Sequence, residues 1–516
     1  MKRVTKELSS DAYEGRAPGT AGEDKTIALL EKAFAQAGLK PGNKGSWVQD
    51  VPLVEITAEN VSPLRITNAN TDLSFGYGSD MVVFSYRSAP RVDIRDSEVV
   101  FVGYGINAPE KGWNDYADVD VNGKTVIILV NDPDYETEGL EGPFNGRAMT
   151  YYGRWTYKYE EAARQGAAAA LIVHDTVPAA YGWNVVESSN TGAQHVAASK
   201  NGNSDQTLAN GWIQKGVAEL MLAAAGQDLA ALTQAARKPD FKAIDLGLKA
   251  SLSFDNRIQE QRSRNVIGIL PGTEAADEYV LYTGHWDHLG RCGADDSGDD
   301  ICNGAVDNAT GTAALVALAK AHAEAGPARR SILFLAVTAE ESGLLGSASY
   351  AANPVYPLAQ TVGGVNMDAF SVSGLARDVV VVGKGKSELD DYLERALKSQ
   401  KRVAKHEPTP EKGFYYRSDH FSFAKRGVPM IYFEGGEDLV NGGVAAGKAA
   451  AQDYAKHRYH APKDEYNPDW DWSGVEADLK LYYQVGRELA EGSDWPNWRE
   501  GDEFRSIRDQ SRSSSH

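Results

Sequence analysis

Three short stretches carry most of the residues able to do chemistry: Gly284-His285-Trp286-Asp287-His288, Gly304-Ala305-Val306-Asp307-Asn308-Ala309-Thr310-Gly311, and Thr338-Ala339-Glu340-Glu341-Ser342-Gly343. Asp368 and His460, in Arg458-Tyr459-His460-Ala461-Pro462-Lys463-Asp464, add a further carboxylate and imidazole. A mixed set of imidazoles and carboxylates suits divalent ions of the zinc type, which bind His nitrogen and Asp/Glu oxygen at about 2.0–2.2 Å, whereas magnesium favours oxygen and water. One carboxylate can bridge two ions, and two-metal hydrolytic sites hold them about 3.5–4 Å apart. With two adjacent glutamates, one can ligate while the other handles protons. No His-Glu-x-x-His motif occurs in the chain.

These residues stand at the ends of apolar runs. Tyr279 to Thr283 reads as a buried strand leading to His285, Ser331 to Thr338 as another leading to Glu340-Glu341, and Val362 to Met367 as a third leading to Asp368. Asp307 stands at the mouth of a helical run from Ala309 to Ala325. Ligands of open α/β sheets bind outside the carboxyl ends of the strands, so the set is expected to converge there. Taken singly, each position has a plainer explanation, and Asp307 beside Asn308 reads as an ordinary helix cap. His288 and His420 are expected to support or pack. His174, His195, His322, His406 and His457 lack a ligand context.

The ordered series His285-x-Asp287, Asp307, Glu340-Glu341, Asp368 and His460 resembles the M28 family of co-catalytic zinc aminopeptidases. The resemblance implies that His285 and Asp368 bind one zinc, that Glu341 and His460 bind the other, and that Asp307 bridges them. It implies Glu340 as general base, Asp287 as the carboxylate that orients His285, and Tyr415 as a hydrogen-bond donor to the tetrahedral intermediate, with Tyr416 a neighbouring claimant. Two Zn2+ ions are the implied cofactors, with cobalt or manganese left open. The implied fold is α/β, a mixed central β-sheet flanked by helices. An inserted β-rich domain, punctuated by glycines and Asn/Asp pairs, resembles a protease-associated domain. On this reading 1–57 and 254–495 form a discontinuous catalytic domain, 58–253 the insert, and 496–516 a C-terminal tail.

The 516 residues exceed what one core usually holds, and 42% hydrophobic with 24% charged residues is the composition of a soluble globular protein. A net charge of −19 argues against nucleic acid or an anionic membrane as partner, and no apolar run is long enough to span a bilayer. Peptides are the expected partners, and the oligomeric state is left open. Cys292 and Cys302 flank an acidic loop between two of the chemical stretches, and two cysteines this close suggest one disulfide and an oxidising compartment. A reduced pair is the rival. The chain opens on charged residues with no apolar signal core, so an exported protein is expected without its signal peptide.

Within the chain, Glu23 to Gly38 reads as an amphipathic helix and Ser473 to Glu491 as another. Tyr151, Tyr152 and Trp155 are placed to wall a cleft or simply to pack. The polar stretch Ser506 to His516 is expected to be unstructured.

The expected function is removal of the N-terminal residue from peptides, with a metal-bound hydroxide as nucleophile and Glu340 as general base. The nearest rivals are an M28-type carboxypeptidase or dipeptidase, for which Arg291, Arg417 and Arg458 are candidate clamps on a terminal carboxylate. A glutaminyl cyclase and a non-catalytic transferrin-receptor-like binding protein are more distant rivals.

Overall fold

In the computed structural model, which describes residues 1–513, the chain divides into two units. The first comprises Met1–Val51, Arg262–Pro408 and the chain from Arg417 onward, and the second Pro52–Gln261 with Thr409–Tyr416. The divisions fall at 51/52 and 261/262, beside the expected 57/58 and 253/254. Strands Val48–Glu59 and Ile244–Leu270 run on through them, so the change of texture does not fall at an element end.

In the first unit, the apolar runs noted above become parallel strands. Ala275–His285 pairs with Arg330–Val337 on one side and Thr361–Asn366 on the other, and Met430–Gly435 continues the parallel set. Every residue of Arg330–Val337 and of Thr361–Asn366 is buried, as expected of parallel strands covered on both faces. Antiparallel neighbours flank this set: 266–270 on Arg330–Val337, and Asp378–Val382 on Met430–Gly435.

Alternation along the strands sends side chains to two cores. Val280, Tyr282, Ile332, Phe334 and Ala336 pack with residues of helices Ala21–Gln36, Gly311–Glu324, Leu389–Gln400 and Ser473–Glu491. Tyr279, Leu281, Leu333, Leu335 and Val337 pack instead with Tyr350 and Phe423, from Leu345–Ala352 and His420–Ala424. The helix expected at 23–38 is found at Ala21–Gln36, burying Ile27, Leu30 and Phe34, and Gly38 follows it at φ +92°. Parallel strands bring their carboxyl ends to one edge, where His285, Glu340-Glu341 and Asp368 follow.

Cys292 and Cys302 form a disulfide across the small hairpin of Gly290–Arg291 and Ile301–Cys302. Among the described residues no helix is long and apolar enough to cross a membrane.

The second unit is built on parallel strands Thr125–Leu129, Ala169–His174 and Ala209–Gln214, with Met81–Phe84 antiparallel to the last. It holds helices as well as strands, among them Trp155–Arg164 and Lys215–Ala224. Its aromatics pack on one another: Tyr151 and Tyr152 lie 4.9 and 5.0 Å from Tyr157, and Trp155 lies 5.8 Å from Tyr159.

The C-terminal segment corrects an expectation. Arg505–Ser513 is a helix, and Arg508 is 2% exposed with its guanidinium donating to the carbonyls of Thr361 and Val362 at 3.0 and 2.9 Å. Ahead of it Trp498 is fully buried and donates to the Gly427 carbonyl. The segment looks unstructured in sequence because its anchor is a buried cation, with no apolar stripe to announce a helix. The expectation for 514–516 lies outside the described residues.

Candidate metal centre

His285 ends its strand 1% exposed. Its Nδ1 lies 3.1 Å from the backbone carbonyl of Asp287, an atom that can only accept, so Nδ1 carries the proton. In the neutral form that a metal ion would require, the ring presents a lone pair at Nε2, which faces Asp307 Oδ1 at 3.3 Å and Asp368 Oδ1 at 3.2 Å. In that form three acceptors converge there. The buried Asp307 Oδ1 meets no hydrogen-bond donor among the described residues, and a cation between the three atoms would satisfy them all.

The second oxygen of Asp307 serves a different group. His460 Nε2 lies 3.5 Å from Asp307 Oδ2 and 3.0 Å from Glu341 Oε2. The remaining Glu341 oxygen, Oε1, is 2.5 Å from His288 Nδ1. The two oxygens of Asp307 thus address two donor sets, His285 with Asp368 and His460 with Glu341. Glu340 stands with His285 and Asp368, ligand-capable atoms of the three lying within 4.8 Å of one another.

The electrostatics follow from crowding. Burial disfavours a charged His285, but the carboxylates of Asp368, Glu340 and Asp307 outweigh it and raise its pKa well above the usual range. Burial likewise opposes a charged His460, yet its bonds to Asp307 and Glu341 raise it to about 10. Glu341 is pulled down by His288 and His460 against its burial, while burial with little relief raises Glu340 well above the carboxylate range. Such a set has an excess of negative charge that divalent ions would balance, and its donors, imidazole and carboxylate, fit zinc.

Local structure explains the placement. Asp307 does not cap the following helix: its carboxylate faces His285 and His460, its backbone is non-helical (φ −105°, ψ 100°), and its bond to Asn308 is cis. Asn308 takes the capping role, its Oδ1 accepting from the amides of Gly311 at 2.9 Å and Ala369 at 3.1 Å while Nδ2 donates to the Met367 carbonyl. It therefore grips both residues flanking Asp368. Ser418 donates to Asp368 Oδ2 at 2.7 Å. Asn308 and Ser418 were missed in the sequence. The only signal was adjacency, Asn308 to Asp307 and Ser418 to the Asp419-His420 pair.

Of the expected residues, His285, Asp307, Glu340, Glu341, Asp368 and His460 come together. Asp287 contacts His285 through its carbonyl, and its carboxylate, 3.7 Å from the ring, accepts from the Glu340 amide instead. Tyr415 belongs to the second unit, where it is 4% exposed with its ring 5.3 Å from Tyr416. His322 is a core residue, bonded to Tyr282 at 2.8 Å.

Residues 265–483, which carry all the clustered residues above, match the model of Peptidase family M28. Among curated proteins, it is 32% identical over 128 residues to the mouse Aminopeptidase NAALADL1, covering 24% of this chain and 16% of that one. It is 30% identical over 200 residues to a Glutamate carboxypeptidase 2 homolog of Caenorhabditis elegans, covering 37% and 24%. The chain thus spans a quarter or less of the length of these relatives. Among solved structures, an aminopeptidase from Aneurinibacillus sp. strain AM-1 superposes with a TM-score of 0.49 at 20% identity over 96% of this chain and 94% of that one.

Proposed function

We propose that this chain is a two-zinc aminopeptidase that removes the N-terminal residue from peptides. The observation that carries the reading is the division of the Asp307 carboxylate: Oδ1 turns to His285 and Asp368, and Oδ2 to His460 with Glu341. His285, Asp368 and Asp307 would hold one ion, and Glu341, His460 and Asp307 the other. When bound, the ions supply Lewis acidity, lowering the pKa of water to about 7 and polarising the peptide carbonyl.

The chain's own residues do the rest. Glu340 takes the proton of the attacking water at its carboxylate and returns it to the nitrogen of the leaving amine. Its carboxylate stands with His285 and Asp368, beside where the ion they would hold sits. Asp287, bonded to the Glu340 amide, fixes the start of the turn on which both glutamates stand.

The names of the matched relatives divide between amino- and carboxypeptidase, so the choice rests on the residues. A carboxypeptidase needs a basic clamp for the substrate's carboxylate. Of the three candidates, Arg291, Arg417 and Arg458, two are paired with acids, Arg291 with Asp300 at 2.7 Å and Arg458 with Asp453 at 3.1 Å. We further propose that the second unit, in the manner of a protease-associated domain, tunes access, and that the protein works in an oxidising, extracytoplasmic compartment, which the disulfide supports.

A panel of aminoacyl-nitroanilides, with N-blocked and free peptides followed by mass spectrometry, tests the reading. Release from the free amino end with none from blocked peptides is expected. Stepwise loss from the carboxyl end would overturn it.

A further inference from the structure

The turn leading to Asp307 is gripped from two sides by buried charges that lie outside the ligand set. Arg16 is 0% exposed. Its Nε donates to the carbonyl of Trp286 at 2.9 Å, Nη1 to those of Leu8 at 2.8 Å and Asn303 at 2.6 Å, and Nη2 to that of Gly304 at 3.0 Å. One planar fork thereby joins the residue after His285 to the two residues that open the Asp307 turn. On the other side, the Asp464 carboxylate, also 0% exposed, accepts from the amides of Val306 and Asp307 at 3.1 Å, and its own carbonyl accepts from Ala305 at 2.9 Å. Asp464 follows His460 by four residues, so it ties the His460 loop to the same turn.

The approach of Arg16 is built in. Gly15, at φ +67°, lies so close to the hairpin that a Cβ there would sit 2.5 Å from the Cys302 carbonyl and 2.6 Å from that of Gly290. Burying a guanidinium costs several kcal/mol, and here its bonds go to backbone carbonyls. Arg330 and Arg508 are also buried on backbone carbonyls, and what sets Arg16 apart is that three of its carbonyls, those of Trp286, Asn303 and Gly304, follow His285 or precede Asp307.

We propose that Arg16 and Asp464 are positioning residues that hold the 303–307 turn, and with it the Asp307 carboxylate, in its metal-binding geometry before any ion arrives. The inference rests on the two-metal reading above. It makes ion affinity depend on two residues that cannot reach the ions' ligand atoms.

The test uses the full-length, metal-free protein titrated with Co2+, read by visible absorption and by competition with a chromophoric chelator. Arg16→Lys keeps the charge but offers its donors from one nitrogen, which cannot span the Trp286 and Gly304 carbonyls. Asp464→Ala removes both oxygens that accept from the Val306 and Asp307 amides. Each is expected to lower Co2+ affinity about 10–100-fold, the usual effect of losing a residue that supports a ligand. Arg330→Lys is the control. Arg330 is an equally buried arginine of the same unit, bonded to the carbonyls of Leu489, Ser493 and Asp494, none of which bears a ligand. It is expected to cost stability and leave affinity within about twofold, as for an independent site.

Equal affinity in Arg16→Lys and the wild type, or an equal loss in Arg330→Lys, would overturn the clamp. Should the Arg16 variant not fold, hydrogen exchange on the wild type decides. Amides of Val306 and Asp307 already protected without metal support preorganisation, and protection that appears only with metal overturns it. A wild-type chain that takes up no Co2+ would overturn the metal-centre reading itself, a different result from either.

Discussion

Glu340 and Glu341 share one side-chain chemistry and one turn, and their neighbours set them apart. Glu341 has an imidazole on each oxygen, His288 on Oε1 and His460 on Oε2. Glu340 is buried among like charges. Glu340→Gln is therefore expected to keep its metal and lose about 10²–10⁴ in kcat, the usual worth of general acid–base catalysis. Glu341→Ala should bind one ion weakly, with activity partly restored by added metal. Elemental analysis beside steady-state kinetics checks both, and metal loss in the Gln variant alone would reverse the assignment. His285, Glu340, Glu341 and Asp368 were legible in sequence because each follows an apolar run at a strand end, whereas Asp307 and His460 were legible only through the resemblance of the whole series. Asn308 and Ser418 were not, since an amide or hydroxyl beside a carboxylate has no periodicity to betray it. The Asp287 carboxylate was expected on His285, and only the folded backbone shows that its carbonyl gets there first.

At the scale of elements, the strands were legible because burial on both faces makes parallel strands continuously apolar. What could not be read was the irregular turn 305–310, whose helix-like composition hides a backbone that swings Asp307 off the helix axis. Gly311, at the helix start, allows this. A Cβ there would lie 2.2 Å from Asn308 Oδ1 and 2.7 Å from the Met367 carbonyl. Gly311→Ala should gain up to about 1 kcal/mol in helix propensity. The clash should cost about 1–3 kcal/mol as overpacking. A net loss in denaturant midpoint, together with weaker metal binding, is the expected outcome, and a stabilised variant with unchanged metal affinity would contradict this account. The helix Arg505–Ser513 was misjudged for a related reason, its hold on the sheet being Arg508. Arg508→Ala should cost about 1.5–3 kcal/mol, the worth of a charged hydrogen bond, measurable by urea unfolding.

For the molecule as a whole, the sequence indicated two kinds of texture, and the structure has a separate hydrophobic core in each unit. Every clustered candidate ligand belongs to the first unit. This makes metal removal a selective perturbation. An ion that binds only the folded state stabilises it by RT ln(1 + [L]/Kd), about 2.7 kcal/mol at a hundred times Kd. That energy is available only to openings that destroy the site. Hydrogen exchange followed by mass spectrometry, with and without saturating zinc, should therefore show about a hundredfold slowing for core amides of Ala275–His285 and Arg330–Val337. Amides of Thr125–Leu129 and Ala169–His174, in the other core, should exchange at the same rate in both conditions. Equal slowing in both sets would mean that the two cores open as one cooperative body, and the metal's effect would then extend to the unit that holds none of its ligands. No slowing in either set would mean that the imidazoles and carboxylates gathered at the sheet edge do not bind zinc tightly, and the hydrolytic mechanism would lose its Lewis acid.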